Sequence, residues 1–122
     1  MKYMLLLYND RTPRSADPAA GRALMAEYRA FTQSIRDSRE MIAGDALTDE
    51  ETATSVRVRG GRTSVVDGPF AETKEHLGGY YLIDVTDLDR AIELAARIPA
   101  ARAGVVEIRP LWEFSDVPDE DG

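Results

Sequence analysis

Five residues within one short stretch concentrate most of the ionisable chemistry this chain can offer: Asp67, Glu72, Lys74, Glu75 and His76. Asp67 precedes Gly68-Pro69, and a carboxylate at such a corner has two readings. It can accept amide hydrogens of the turn, the ordinary role of Asp beside Gly and Pro. It can instead sit in a pocket with a raised pKa and act as a general base. Glu72 and Glu75 read either as a carboxylate pair for proton transfer or, with Lys74 between them, as a solvated salt-bridge network worth little per pair. On one helical turn, Glu72 would neighbour both Glu75 and His76. Lys74 can hold an anionic substrate as a point charge. His76 is the only histidine, and with an unperturbed pKa of about 6.5 it is the natural proton shuttle.

Other chemistries are excluded. With one histidine and no cysteine, a zinc site would need mostly carboxylates, which zinc does not favour. No metal is expected. The absence of cysteine also removes a thiolate nucleophile and a disulfide framework. No phosphate loop, dinucleotide fingerprint or Gly-x-Ser-x-Gly elbow occurs, and no cofactor is expected.

The elements that must position these residues can be read from periodicity. Residues 2–8 are apolar apart from Lys2 and predict a buried central strand. Asp17 then Pro18 supply an N-cap acceptor and a first-turn proline. Leu24, Tyr28, Phe31 and Ile35 follow as one face of a helix running to about Arg39. Residues 41–47 predict a strand whose Gly44 lets backbone or ligand approach closely. Residues 53–67 predict a hairpin turning at Gly60-Gly61. Another strand is expected over 80–85, then a helix capped by Thr86 with Asp89 and faced by Leu88, Ala91, Ile92 and Ala95. Pro99 ends that helix. Residues 105–109 form the last main strand, which 111–114 would extend.

This order is β-α-β-hairpin-β-α-β and predicts an α+β, ferredoxin-like domain over 1–114, followed by an acidic, disordered tail at 115–122. Helices cover only one face of such a sheet. Strands as apolar as 3–8 and 80–83 imply that the other face is also buried, so a homodimer packed sheet to sheet is expected. Phe70, directly after the Gly-Pro corner, is expected to insert into the core or a pocket. Tyr28, Phe31, Phe70, Tyr80, Tyr81 and Trp112 either line an aromatic pocket or fill the core and the dimer interface.

Bulk composition narrows the partners. The net charge is −7, with thirteen Arg against two Lys, and four acids fall in the last seven residues. A mildly acidic body with scattered arginines attracts neither nucleic acid nor anionic lipid. No apolar run approaches the roughly 20 residues of a membrane helix, and residues 1–8 lack the length and cleavage site of a signal peptide. A cytoplasmic location is expected.

The run Asp67-Gly68-Pro69-Phe70-Ala71-Glu72-Thr73-Lys74-Glu75, followed by Leu77-Gly78-Gly79-Tyr80-Tyr81-Leu82-Ile83, resembles the signature of the DGPF, or YCII-related, domain family. The resemblance extends from the first strand through Gly44 to Val105-Glu107-Ile108-Arg109-Pro110. It implies a bacterial protein with a dimeric α+β barrel fold, shared with several cofactor-free isomerases, lyases and monooxygenases. It also implies genes that neighbour extracytoplasmic-function sigma factors. YCII proteins proper carry a histidine in the first helix, proposed to act with an aspartate. Here Glu27 or Tyr28 falls near that place, so the dyad does not carry over. His76 lies outside the signature and fits a surface role.

Two functions follow. One is small-molecule binding, with cofactor-independent isomerase or lyase chemistry, in a pocket between the sheet and the first helix. Tyr28, Gly44 and Phe70 would contact the substrate. Asp67 or Glu72 would take a proton from a carbon acid while Lys74 steadied the negative charge. The other is a non-catalytic dimeric regulatory or accessory module linked to sigma-factor loci, in which the signature only builds the fold and interface.

Overall fold

The computed structural model describes residues 1–10, 17–70 and 75–113. Glu72, Lys74, Phe114 and the acidic tail lie outside the described residues. The elements are β1 (Lys2–Asp10), α1 (Pro18–Asp37), β2 (Met41–Ala46), a single 3₁₀ turn (Glu50–Thr52), β3 (Thr54–Arg59), β4 (Arg62–Asp67), β5 (Glu75–Asp84), α2 (Leu88–Ala96), α3 (Ala100–Ala103) and β6 (Val105–Pro110). Four strands form an antiparallel sheet in the order β2-β5-β1-β6, and β3-β4 form a separate ribbon. With the ribbon set aside, this is the ferredoxin-like arrangement, so the expected α+β fold with an inserted hairpin is the fold observed.

Strand β1 is central because it is apolar at nearly every position. Tyr3, Leu5 and Leu7 point to the helices and are buried. They meet Ile83, Tyr81 and Gly79 of β5, and Pro110, Ile108 and Val106 of β6. Met4 and Leu6 point the other way, beside Leu82 and Tyr80. Those four side chains are half-buried, since their strand neighbours shield them and no described helix lies over them.

Helix α1 starts as its sequence dictates. The Asp17 carboxylate accepts from the Ala19 amide at 3.0 Å, with Pro18 in the first turn. Its packing is less even than the periodicity predicts. Phe31 and Ile35 are buried, whereas Leu24 is 45% exposed. All of residues 18–27 are exposed, so this end of the helix stands clear of the sheet.

Helix α2 differs from expectation in two ways. Its cap is Asp87, not Thr86, and the Asp87 carboxylate accepts from the Arg90 amide at 2.9 Å. An aspartate one residue closer to the first turn is the stronger acceptor. Its buried face is Ala91, Leu94 and Ala95, continued by Ile98, while Leu88 and Ile92 are 49% exposed. The true stripe lies next to the predicted one because a nine-residue helix offers too few turns to fix its phase. Residues 111–113 do not extend β6, although the Leu111 amide donates to the Lys2 carbonyl.

One ion-pair network fastens α2 to the start of β2. The Arg90 Nε and Nη2 donate to both Glu40 oxygens at 2.8 Å, and Nη1 donates to Glu93 at 3.0 Å. Ser38 Oγ also donates to Glu40, at 2.7 Å. The Glu40 side chain is 15% exposed and that of Arg90 34%. Arg90 holds the Glu40 carboxyl below its ordinary value of 4.5, burial opposing and Ser38 assisting. A carboxyl with a lowered folded pKa stabilises the fold fully above its unfolded value, and that contribution is lost as pH falls through the folded value. Urea unfolding is therefore expected to show stability declining as pH drops below 4.5. Glu40→Gln should cost about 1–2 kcal/mol at neutral pH and flatten that acid limb.

Candidate functional site

The helix-facing side of β2 and β5 brings one group of polar residues together. Gly44 of β2 lies opposite Tyr81 of β5. A Cβ on Gly44 would stand 2.8 Å from the Tyr81 ring and 3.0 Å from the Met41 methyl, so the ring occupies the space that glycine leaves. The Tyr81 hydroxyl shares a 2.8 Å hydrogen bond with Thr32 Oγ1 of α1. Its ring packs edge-on against Phe31 with centroids 5.1 Å apart, and the Arg97 guanidinium covers the outer Phe31 face.

Tyr28, one turn before Thr32, is half-buried beside Tyr81. Burial raises the pKa of its hydroxyl and the Tyr81 phenol adds to this, while the Ala100 backbone and Arg102 work against them. Tyr28 is thus a hydroxyl group suited to hydrogen bonding rather than to serving as a base. Of the residues expected at the site, Tyr28 and Gly44 converge here. Thr32, one turn after Tyr28, and Tyr81 join them, and only the tertiary bond between the two marks Thr32.

The signature corner lies elsewhere. Asp67 ends β4 opposite Thr54 and is exposed. Among the described residues its carboxylate accepts no turn amide; the amides of residues 71–74, just past the corner, lie outside them. The corner is held by backbone instead. Gly68 adopts φ 101°, a conformation that favours glycine. Its amide donates to the Ala53 carbonyl at 2.7 Å, and its carbonyl accepts from Ser55 Oγ at 2.8 Å. Phe70 is 80% exposed, so it inserts into neither core nor pocket of its own chain. The reason is positional, since the β3-β4 ribbon that carries the corner projects from the body. No hydrogen bond, ion pair or ring contact among the described residues joins Asp67 or Phe70 to the Tyr28–Gly44 group.

Glu75 and His76 correct a second expectation. They belong to strand β5, not to a helical turn, so helical spacing between them and Glu72 does not apply. His76 is not a surface residue either. It is half-buried opposite Asn9 of β1, and its Nδ1 is sealed from solvent with no hydrogen-bond partner among the described residues. A buried nitrogen left unpaired costs on the order of 1–3 kcal/mol, and such groups in a fold call for a ligand or water. Alternation along β1 puts Asn9, like Leu7, on the helix side. His76 shares that face, at the end of the sheet where α1 stands clear. Sequence reasoning undervalued it because a single polar residue gives no periodic signal.

The clearest depressions of the surface have different chemistry. One of about 280 Å³ between α2, α3 and β6 is lined by groups such as Ile92, Ala96, Val105 and Ile108 and holds no ionisable side chain. The other, about 430 Å³, adjoins Met1, Lys2 and Glu113. Among the described residues no group of three or more His, Cys, Asp or Glu is placed to hold a metal.

The open end of α1 has a measurable consequence. Ile35→Ala is expected to cost about 2–5 kcal/mol in urea unfolding, as a fully buried truncation. Leu24→Ala, on the same helix stripe, should cost under about 1 kcal/mol.

Comparisons with known proteins agree with this geometry at the level of fold. A solved structure of 5-chloro-2-hydroxyhydroquinone dehydrochlorinase (TftG) from Burkholderia phenoliruptrix AC1100, in complex with 2,5-dihydroxybenzoquinone, superposes with a TM-score of 0.50. It is 12% identical and the match covers 94% of this chain and 97% of that one. An uncharacterised protein of Rhizobium meliloti (strain 1021), R00369, is 36% identical over 114 residues, covering 91% of this chain and 92% of its own. No helix among the described residues is long and apolar enough to cross a membrane. The model of the YCII-related domain matches residues 1–115, and the chain belongs to the YCII-related family.

Proposed function

We propose that this chain is a small-molecule-binding YCII-related protein that carries out cofactor-independent isomerase or lyase chemistry as a homodimer. The observation that carries the reading is the sealed, unpartnered Nδ1 of His76 at the open end of the helix-sheet layer. A buried nitrogen of this kind calls for a ligand or a water as its partner. The hydroxyls of Tyr28 and of the Tyr81–Thr32 pair supply hydrogen bonds to a polar substrate beside Gly44.

In this reading Asp67 or Glu72 accepts a proton from a carbon acid, and Lys74 stabilises the negative charge that forms. His76 adds a second side chain able to carry a proton. Phe70 gains cover from the ligand or from the second copy. Sharing a fold with a dehydrochlorinase bound to a dihydroxybenzoquinone is compatible with lyase-type chemistry on oxygenated carbon, though at this identity the likeness carries the fold and not the residues. The dimer is proposed because Met4, Leu6, Tyr80 and Leu82 form an apolar stripe that no described element covers.

A second reading is favoured by the exposure of Asp67 and Phe70. In it the protein is a non-catalytic dimeric accessory module, and the signature builds hairpin and interface. Thermal-shift screening against small phenols, quinones and oxo-acids, 2,5-dihydroxybenzoquinone included, separates the two. The catalytic reading predicts ligand-induced shifts in the wild type that Asp67→Asn and Lys74→Ala abolish. Were both variants to bind the same compounds as the wild type, the site assignment would fail. The accessory reading predicts that Asp67→Asn lowers the melting temperature without changing any ligand response.

A further inference from the structure

The β3-β4 ribbon buries almost nothing against its own chain. Every residue of both strands is exposed except Ser55. Its register places Val56 opposite Val65 and Val58 opposite Thr63, so three valines share one face. They are 59%, 57% and 62% exposed. The other face carries Arg57, Arg59 and Arg62 with Ser55, Ser64 and Val66, the last 60% exposed. The turn is built for this geometry, since Gly60 and Gly61 have φ 56° and 76°, as a two-residue turn with positive φ at both positions requires.

An isolated two-stranded ribbon is marginally stable in water, and an uncovered apolar strand face is an association surface. Three arginines and two serines keep one side the wetter despite Val66, and leave the side with three valines the drier one. We infer that the ribbon is an arm whose valine face packs on a second copy of this chain. The inference rests on the dimer reading above and extends it from the sheet to the hairpin.

Area supports that occupant. Four strands about 4.8 Å apart and about six residues long present roughly 400 Å² of sheet. A standard stable interface needs about 800 Å² per partner. Sheet-to-sheet contact alone falls well short. The ribbon face adds about 200 Å², and Phe70, exposed just past the ribbon, adds an aromatic of about 150–200 Å². Together they approach the required figure.

The arm also bears on the candidate site. The Asp67–Phe70 corner is tied to the ribbon base through the Gly68 bonds to Ala53 and Ser55. Docking the arm on the second copy fixes where Asp67 and Phe70 stand, so the site is complete only in the dimer.

Sedimentation velocity of the full chain at micromolar concentration tests this. The double variant Val56→Asp/Val65→Asp should keep its wild-type circular dichroism, because both side chains are exposed in the single chain. Its dimer dissociation constant should rise at least about a hundredfold. Arg57→Ser, on the opposite face, should leave the dimer intact. If the valine variant dimerises as tightly as the wild type while Leu6→Arg dissociates, the arm is wrong and the sheet contact stands. A monomeric wild type would overturn the dimer reading itself, and the arm with it.

Discussion

The structure depends on one asymmetry: its sheet has helices on one face, but its central strand is apolar on both. Leu5 and Leu7 of β1 reach the helices and are buried. Met4 and Leu6, from the same strand, meet only Leu82, Tyr80 and their strand neighbours on the far side. Alternation makes this unavoidable, since successive side chains of a strand leave opposite faces. A chain that spends aliphatic residues on both faces of one strand is built for two cores. One of them is supplied within the described chain.

The candidate site follows from a second asymmetry, along α1. Its C-terminal half is clamped by Phe31 and Ile35, and the Arg97–Ser34 bond ties it to the end of α2. Its N-terminal half touches little. The helix-sheet layer is therefore closed below Tyr81 and open above Tyr28. The open end is where β5 carries Gly78-Gly79 and His76. The Asn9 amide and the Asp45 backbone fill the space the two glycines leave, so the sealed His76 nitrogen is the feature of that end that calls for a polar partner. The signature corner stands apart on the ribbon, and no hydrogen bond, ion pair or ring contact among the described residues joins it to that end.

Much of this was legible in the sequence. β1 announced itself by its unbroken apolar run, α1 by Asp17-Pro18, and the hairpin by Gly60-Gly61 between alternating valines. Those signals are local and strong. The misses have physical causes. Leu24 continues the Phe31–Ile35 stripe, but periodicity reports which face a residue shares, not whether anything packs on it. Leu88 and Ile92 outweighed Leu94 because a short helix leaves its phase open to a shift of one or two residues. Glu75 and His76 read as helical because charges at close spacing mimic a helix face, whereas pairing with β1 overrode that local preference. Tyr28 and Gly44 were legible as site candidates because an aromatic and a glycine are conspicuous in their elements. Thr32 and His76 were not, since only tertiary pairing shows the hydroxyl bond to Tyr81 and the sealed nitrogen.

The account turns on the apolar sheet face being covered in solution. Methyl NMR of the wild-type chain with a soluble paramagnetic agent measures this at the residues concerned. The account predicts that the methyl groups of Met4, Leu6 and Leu82 are shielded as well as those of Leu5 and Ile83 in the helix-side core. Strong broadening of the Met4, Leu6 and Leu82 methyls, with Leu5 and Ile83 untouched, would show a wet face on a lone subunit and contradict it.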